Sequence, residues 1–147
     1  MNFSYLTRPW SIQFIVLGLA LAVVLSACSE TKVAQCQKLI LITKKMAEEG
    51  AKNRNVTDPT KILDFAIGFE EAAQNVQSLQ LADAQLQTYQ QDLAAIYDNN
   101  AEATRNIVSA IKSKDILTAK LAQEQVKKTG QKEQLLITQM NQYCQSD

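Results

Sequence analysis

The amino-acid sequence predicts an all-α protein, an up-down-up-down four-helix bundle that follows an apolar N-terminal segment. Gly and Pro number only four and two, while Ala, Leu, Gln and Lys, which favour helices, are abundant. Apolar residues recur at intervals of three and four, as on one face of a helix, and no stretch alternates long enough to indicate a strand. A three-helix bundle, or one with a broken third helix, is the alternative.

The first two helices are predicted from this spacing and from a helix-start motif. Residues 31–53 form the first helix, and the second runs from Thr57-Asp58-Pro59 to about Ser78, with Thr57 or Asp58 as the N-cap. Their apolar faces comprise Val33, Cys36, Leu39, Ile40, Thr43, Met46 and Ala47 in the first helix, and Ile62, Phe65, Phe69, Ala72, Val76 and Leu79 in the second.

The third and fourth helices are predicted to begin at Asp83 and Asp115, which each precede an apolar-periodic stretch. The polar stretch Asp98-Asn99-Asn100 predicts a bend or break in the third helix, and Gly130 predicts a kink in the fourth. The apolar faces comprise Leu86, Tyr89, Leu93, Ile96, Ile107 and Ile111 in the third helix, and Leu117, Leu121, Val126, Leu136, Met140 and Tyr143 in the fourth.

The N-terminal region predicts a signal peptide and a lipid anchor. Residues 14–25 form an unbroken apolar run, which suits a signal-peptide core and is shorter than the roughly 20 residues of a membrane-spanning helix. The following Leu25-Ser26-Ala27-Cys28 resembles the lipobox of bacterial lipoproteins at all four positions. The resemblance implies removal of residues 1–27 and attachment of a diacylglycerol, with palmitate among its acyl chains, to Cys28. Residues 28–147 would then form a lipid-anchored helical domain; an uncleaved anchor is the alternative.

Two cysteines remain after Cys28, and they predict a structural disulfide. Cys36 lies early in the first helix and Cys144 near the end of the last, so an up-down-up-down bundle places both at the same end. Even pairs of cysteines in exported chains are usually bonded. Two buried thiols are the alternative, and a redox-active pair is disfavoured because no Cys-x-x-Cys spacing occurs.

The sequence offers no constellation that favours catalysis or a cofactor. It contains no histidine, which removes His-based acid–base and nucleophilic chemistry and most zinc sites. Glu48-Glu49 and Glu70-Glu71 are neighbours that point about 100° apart on a helix. The Asp98-x-Asn100-x-Glu102 spacing begins like a calcium loop, but Ala103 stands where such a loop requires glycine. We therefore expect no catalytic residue, no metal site and no cofactor.

Charge is balanced overall but unevenly distributed along the chain. Basic and acidic residues number 15 each, and the lack of a basic excess argues against nucleic acid as a partner. Residues 64–102 contain seven acidic residues and no basic one, whereas residues 105–132 contain seven basic residues and two acidic. Either oppositely charged helices face each other inside one bundle, or the surface is bipolar and orients the domain over anionic headgroups or a charged partner.

Several short motifs resemble a group of small lipoproteins of cyanobacteria. The matching parts are the lipobox, residues 32–40 (Lys-Val-Ala-Gln-Cys-Gln-Lys-Leu-Ile), residues 79–83 (Leu-Gln-Leu-Ala-Asp) and residues 141–144 (Asn-Gln-Tyr-Cys). The resemblance implies an extracytoplasmic domain, periplasmic or lumenal, on the plasma, thylakoid or outer membrane. It also supports the pairing of Cys36 with Cys144, and it transfers no catalytic residue.

Three functions compete on these grounds. The first is a non-enzymatic accessory or scaffold protein that docks on a membrane or envelope complex, with an unidentified protein as partner. The second is a binder of a small apolar ligand between the helices, which would require a gap near Ala72-Ala73 or Ala101–Ala103. The third is an enzyme. The sequence favours the first, because it combines an anchor, a compact helical body and split charge.

Overall fold

The computed structural model describes residues 30–52 and 55–146. Within them the chain forms four helices and no strand, so the predicted all-α four-helix bundle is confirmed. The helices are α1 (Lys32–Lys52), α2 (Pro59–Gln77), α3 (Ala84–Ser113) and α4 (Ile116–Gln145). The predicted leader, residues 1–27, and the predicted lipidation residue Cys28 lie outside the described residues.

Aspartate side chains begin the last three helices, as the sequence predicts. Asp58, rather than Thr57, caps α2 and accepts a hydrogen bond from the Thr60 amide at 2.8 Å. Asp83 caps α3 through the Leu86 amide at 2.9 Å, and Asp115 caps α4 in the same way. These amide donors lower the pKa of all three carboxyl groups, because they stabilise the charged form.

The helices pack around α3, which runs through the centre of the fold. α2 and α4 are the sequence neighbours of α3 and pack along it, and α1 closes the bundle by packing on α2 and α4. Within the described residues α2 and α4 make no contact with each other, so α3 and α1 separate them. The links between α2 and α3 and between α3 and α4 are short, which makes these neighbours antiparallel.

The core is filled with apolar side chains from all four helices. Its fully buried large members are Leu39, Val76, Leu86, Leu93, Tyr97 and Met140. The alanine pairs at 72–73 and at 101 and 103 are also buried, and their small side chains allow close helix packing.

The described helices α3 and α4 are continuous through the positions of the two predicted irregularities, so α3 has no break at Asp98-Asn99-Asn100. α3 continues through Asn100, whose buried side chain accepts a hydrogen bond from the Thr129 hydroxyl of α4. That partner satisfies the amide without a break in the helix. α4 likewise continues through Gly130, which lies at an exposed position where an added Cβ would have no neighbour within 4 Å.

The buried side of α4 differs from the predicted apolar face. Leu117 and Leu121 are exposed, while Ala122 and Thr129 are buried against α3. Ala122, Thr129 and Leu136 are seven residues apart, about two helical turns, so they share one side of α4. Leu117 and Leu121 point in other directions, because successive residues on a helix are about 100° apart. Val33 of α1 and Ile111 of α3, also predicted on apolar faces, are exposed as well.

Candidate functional site

The N-terminal end of the helical domain, at the start of α1, lies beside its C-terminal end, at the end of α4. Cys36 and Cys144 lie at disulfide-bonding distance there, with their Cα atoms 5.9 Å apart, in agreement with the predicted pairing. The Lys32 ammonium group lies 4.2 Å from the centroid of the Tyr143 ring and donates a hydrogen bond to the Ser146 carbonyl. We call this end of the bundle the anchor end, because α1 is the first helix after the predicted lipidation residue.

The loop between α2 and α3 is fastened to the anchor end by Gln35. Its buried side-chain carbonyl accepts hydrogen bonds from the backbone amides of Ala82 at 2.7 Å and Asp83 at 3.0 Å. The Tyr143 hydroxyl donates to the Asp83 carboxylate at 2.9 Å, and the Tyr143 ring meets Tyr89 edge-on. Side chains from α1 and α4 therefore hold this loop from two directions.

The electrostatics of this cluster indicate a structural role. The Leu86 amide and the Tyr143 hydroxyl lower the pKa of Asp83. The same hydrogen bond to Asp83 raises the pKa of Tyr143. Both shifts keep the carboxylate charged and the phenol protonated, so the pair is a stable hydrogen bond and is unsuited to proton transfer.

A second polar cluster is buried midway along α3 and α4. Asn100 and Thr129 satisfy each other there, but the buried Tyr97 hydroxyl has no hydrogen-bond partner among the described residues. Glu133 of α4 lies nearby and is partly buried. Burial, the Glu133 charge and the proximity of the Glu133 carboxylate to the Tyr97 hydroxyl raise the pKa of Tyr97. Burial raises the pKa of Glu133, and the nearby Tyr97 hydroxyl opposes this effect without forming a hydrogen bond of normal geometry. This cluster is the one place in the described fold where a carboxyl group is disfavoured in its charged form.

Of the carboxylates singled out in the sequence, Glu49 of α1 and Glu71 of α2 line one cavity of about 80 Å³ beside Ala72, whereas Glu70 and Asp98 bind partners elsewhere. Glu70 forms a bidentate ion pair with Arg105 of α3, with a shortest distance of 2.7 Å. Asp98 is exposed, whereas Asn100, two residues later, is buried against Thr129. In the described residues no group of three or more Cys, Asp or Glu could hold a metal ion.

Several surface depressions of the described residues are large enough to receive a ligand or a partner side chain, and two of them bear on function. One is a cleft of about 390 Å³ between the end of α1 and α2. It is lined by Met46, Glu49, Gly50, Val56, Lys61, Asp64, Phe65, Gly68 and Phe69. The other is a groove between α3 and α4, where Leu121, Lys128, Lys132 and Leu135 are among the lining residues.

Three comparisons with known proteins give no relative for this chain. No protein-family model, curated protein or solved structure matches it. A search of the described helices also found none that is both long and apolar enough to cross a membrane.

Gln35 is the functional-looking residue that the sequence analysis missed. A signal was present, because Gln35 precedes Leu39, Ile42 and Met46 at helical spacing and is therefore a polar residue on an apolar face. The buried Tyr97 hydroxyl gave no such signal, since a tyrosine on an apolar face usually finds a partner.

Proposed function

We propose that this chain is a lipid-anchored, non-enzymatic accessory protein that works by contact with a larger membrane or envelope assembly. The observation that carries the proposal is the contrast between a filled core and apolar side chains on the outside. The alanines at 72–73 and at 101 and 103, where a ligand binder would need a gap, are buried, and the cavity beside Ala72 has a volume of only about 80 Å³. By contrast, Leu41 of α1 and several residues of α4 are large, apolar and mostly exposed. Exposed apolar side chains of this kind favour recognition at a surface.

The anchor itself rests on the lipobox and is tested with Cys28. Cys28→Ser should abolish lipid labelling and leave uncleaved precursor, because the thiol is the atom that receives the diacylglycerol. The measurement is metabolic labelling with a fatty acid, read beside a Cys144→Ser control that retains Cys28. Normal processing of the Cys28→Ser variant would contradict a lipoprotein.

Docking is tested with the native protein extracted gently from membranes. We expect it to migrate with a protein assembly, and we expect raised salt to release it, because exposed charges are screened beyond about 8–10 Å at physiological ionic strength. Photo-crosslinking residues at Leu121 and Ile67 would identify the contacting helix. A Cys28→Ser protein should lose the partner, since confinement to the membrane raises effective concentration. Migration alone under all conditions would contradict the proposal.

Ligand binding is the second candidate, and the cleft between α1 and α2 favours it. Its volume lies in the range of small-molecule pockets, and Met46, Val56, Phe65 and Phe69 give it an apolar wall. Gly68 lies in this wall, and a Cβ there would meet only Glu49 Oε2 at 4.0 Å. Gly68→Leu should therefore fill the cleft without unfolding the chain. A stoichiometric small molecule seen by native mass spectrometry in the wild type, and lost in Gly68→Leu, would favour this function over docking.

A further inference from the structure

Four of the eight large apolar residues that are exposed in the described bundle lie on α4, more than on any other helix, while Val33 and Leu41 of α1 are 58% and 65% exposed. Ile116, Leu117, Leu121 and Leu135 are 72%, 70%, 64% and 61% exposed. The corresponding residues of α2 and α3, Ile67 and Ile111, are each only 43% exposed. Leu117, Leu121 and Leu135 lie within about 40° of one another around the helix, so they form one stripe along its length.

The same side of α4 is strongly basic. Lys120, Lys127, Lys128 and Lys132 are all exposed, against a single exposed acidic residue, Glu124. Lys128 and Lys132 fall in the sector of the leucine stripe. The other acidic residue of α4, Glu133, is partly buried beside Tyr97 and does not offset the exposed lysines.

The helix that makes no contact with α4 has the opposite charge. This helix, α2, carries Asp64, Glu70 and Glu71 against Lys61. The Glu70–Arg105 ion pair joins α2 to α3, so these two helices, both with more acidic than basic residues, contact each other. Charge therefore changes sign across the fold, from acidic at α2 to basic at α4.

We propose that the exposed side of α4 binds the surface of a membrane that contains anionic lipids. Leucine side chains would enter the boundary between headgroups and acyl chains, and the lysines would contact lipid phosphates, as in interfacial amphipathic helices. A symmetric contact of α4 with α4 of a second copy fits this surface less well, because two basic faces repel each other. The acidic α2 side then faces the aqueous compartment.

The position of α4 suits this orientation. The orientation needs a second point of attachment to the membrane, and for that it rests on the proposed lipid anchor. Three residues separate Cys28 from α1, so the length of the intervening chain allows at most about 14 Å between the Cα atoms of Cys28 and Lys32. Lys32 contacts Tyr143 and Ser146 at the end of α4. The 30 residues of α4 span about 45 Å from this anchor end. The lipid holds one end of α4 at the membrane, and the basic leucine stripe lays the rest of the helix along it.

A single tryptophan placed on α4 tests the proposal. Trp10 is the one native tryptophan, so a full-length Trp10→Phe chain carrying Leu121→Trp reports from α4 alone. The lipidated protein is reconstituted in phosphatidylcholine vesicles with and without phosphatidylglycerol, using brominated acyl chains. We expect the emission of the introduced tryptophan to shift to shorter wavelength and to be quenched only with phosphatidylglycerol, and raised salt to reverse both effects. Ile67→Trp on α2 is the matched control and should show neither effect.

Charge-neutral variants separate this surface from the lipid anchor. Lys128→Gln with Lys132→Gln should remove the phosphatidylglycerol-dependent quenching while sedimentation with phosphatidylcholine vesicles, the readout of the anchor, stays unchanged. A chain that sediments only with phosphatidylglycerol, with quenching at position 121, would support the α4 surface and contradict the anchor. Quenching that is absent or equal in both vesicle types would overturn the α4 surface. A concentration-dependent emission shift without vesicles would assign this face to a second copy and overturn it as well.

Discussion

Glu133 is a carboxyl group whose charge works against folding. Burial raises its pKa above the ordinary 4.5, so its contribution to stability is complete below that value and is lost as pH rises through the folded pKa. We expect Glu133→Gln to stabilise the protein at neutral pH, with the gain shrinking towards pH 4. Urea unfolding across this pH range measures the difference.

The matched control for Glu133 is Glu124→Gln, an exposed residue on the same helix. It should leave the pH dependence of stability unchanged. The capping aspartates Asp58, Asp83 and Asp115 have lowered pKa values, so their charged forms stabilise the fold. This contribution to protein stability is lost as pH falls below 3.8, in wild type and variants alike. A Glu133→Gln protein that is equally or less stable at neutral pH would show that the carboxylate has a favourable partner.

Tyr97 places a hydroxyl in the core without a hydrogen-bond partner among the described residues. Tyr97→Phe removes that group and keeps the ring contact with Phe69, whose centroid lies 6.1 Å away. We expect thermal stability to be unchanged or raised by up to about 1 kcal/mol. Thr129→Val provides the contrast, because it leaves the buried Asn100 amide unpaired and should cost about 1–3 kcal/mol. Clear destabilisation by Tyr97→Phe would mean that the hydroxyl is bonded.

At the scale of the elements, the α2–α3 loop depends on a side chain of α1. Gln35→Ala should cost about 1–3 kcal/mol, because it leaves two inward-facing loop amides without their acceptor. Hydrogen exchange at Ala82 and Asp83 should speed up more than exchange in the middle of α3. Gln37→Ala changes an exposed glutamine on the same helix and should have no effect. Unchanged exchange at both amides would contradict the role given to Gln35.

Helix starts could be predicted from the sequence, whereas the buried face of α4 could not. A cap such as Asp115 bonds an amide three residues away, so its signal is local. Burial on α4 depends on what α3 presents, and there the small Ala122 and polar Thr129 are covered while Leu117 is left outside. The Gln35 contact with Ala82 spans 47 residues for the same reason, and only the fold brings the two together.

At the scale of the whole molecule, the Cys36–Cys144 pair sets the stability of the domain. A disulfide there closes a loop of 107 intervening residues and would contribute on the order of 4–5 kcal/mol in the chain-entropy model. Cys144→Ser should lower the thermal midpoint markedly while the helical circular dichroism signal is largely kept. Alkylation of freshly isolated protein provides the direct check, and two free thiols would rule the bond out.

The same pair has a consequence for the outcome of proteolysis. The connections between α2 and α3 and between α3 and α4, at residues 78–83 and 114–115, lie between Cys36 and Cys144 in the chain. With the pair oxidised, a protease that cuts either connection once leaves two fragments joined by sulfur. Because α1 closely follows the predicted lipidated cysteine, neither fragment could diffuse away from the membrane. Nicked protein should therefore migrate as one species until it is reduced, and it should pellet with membranes as a single unit.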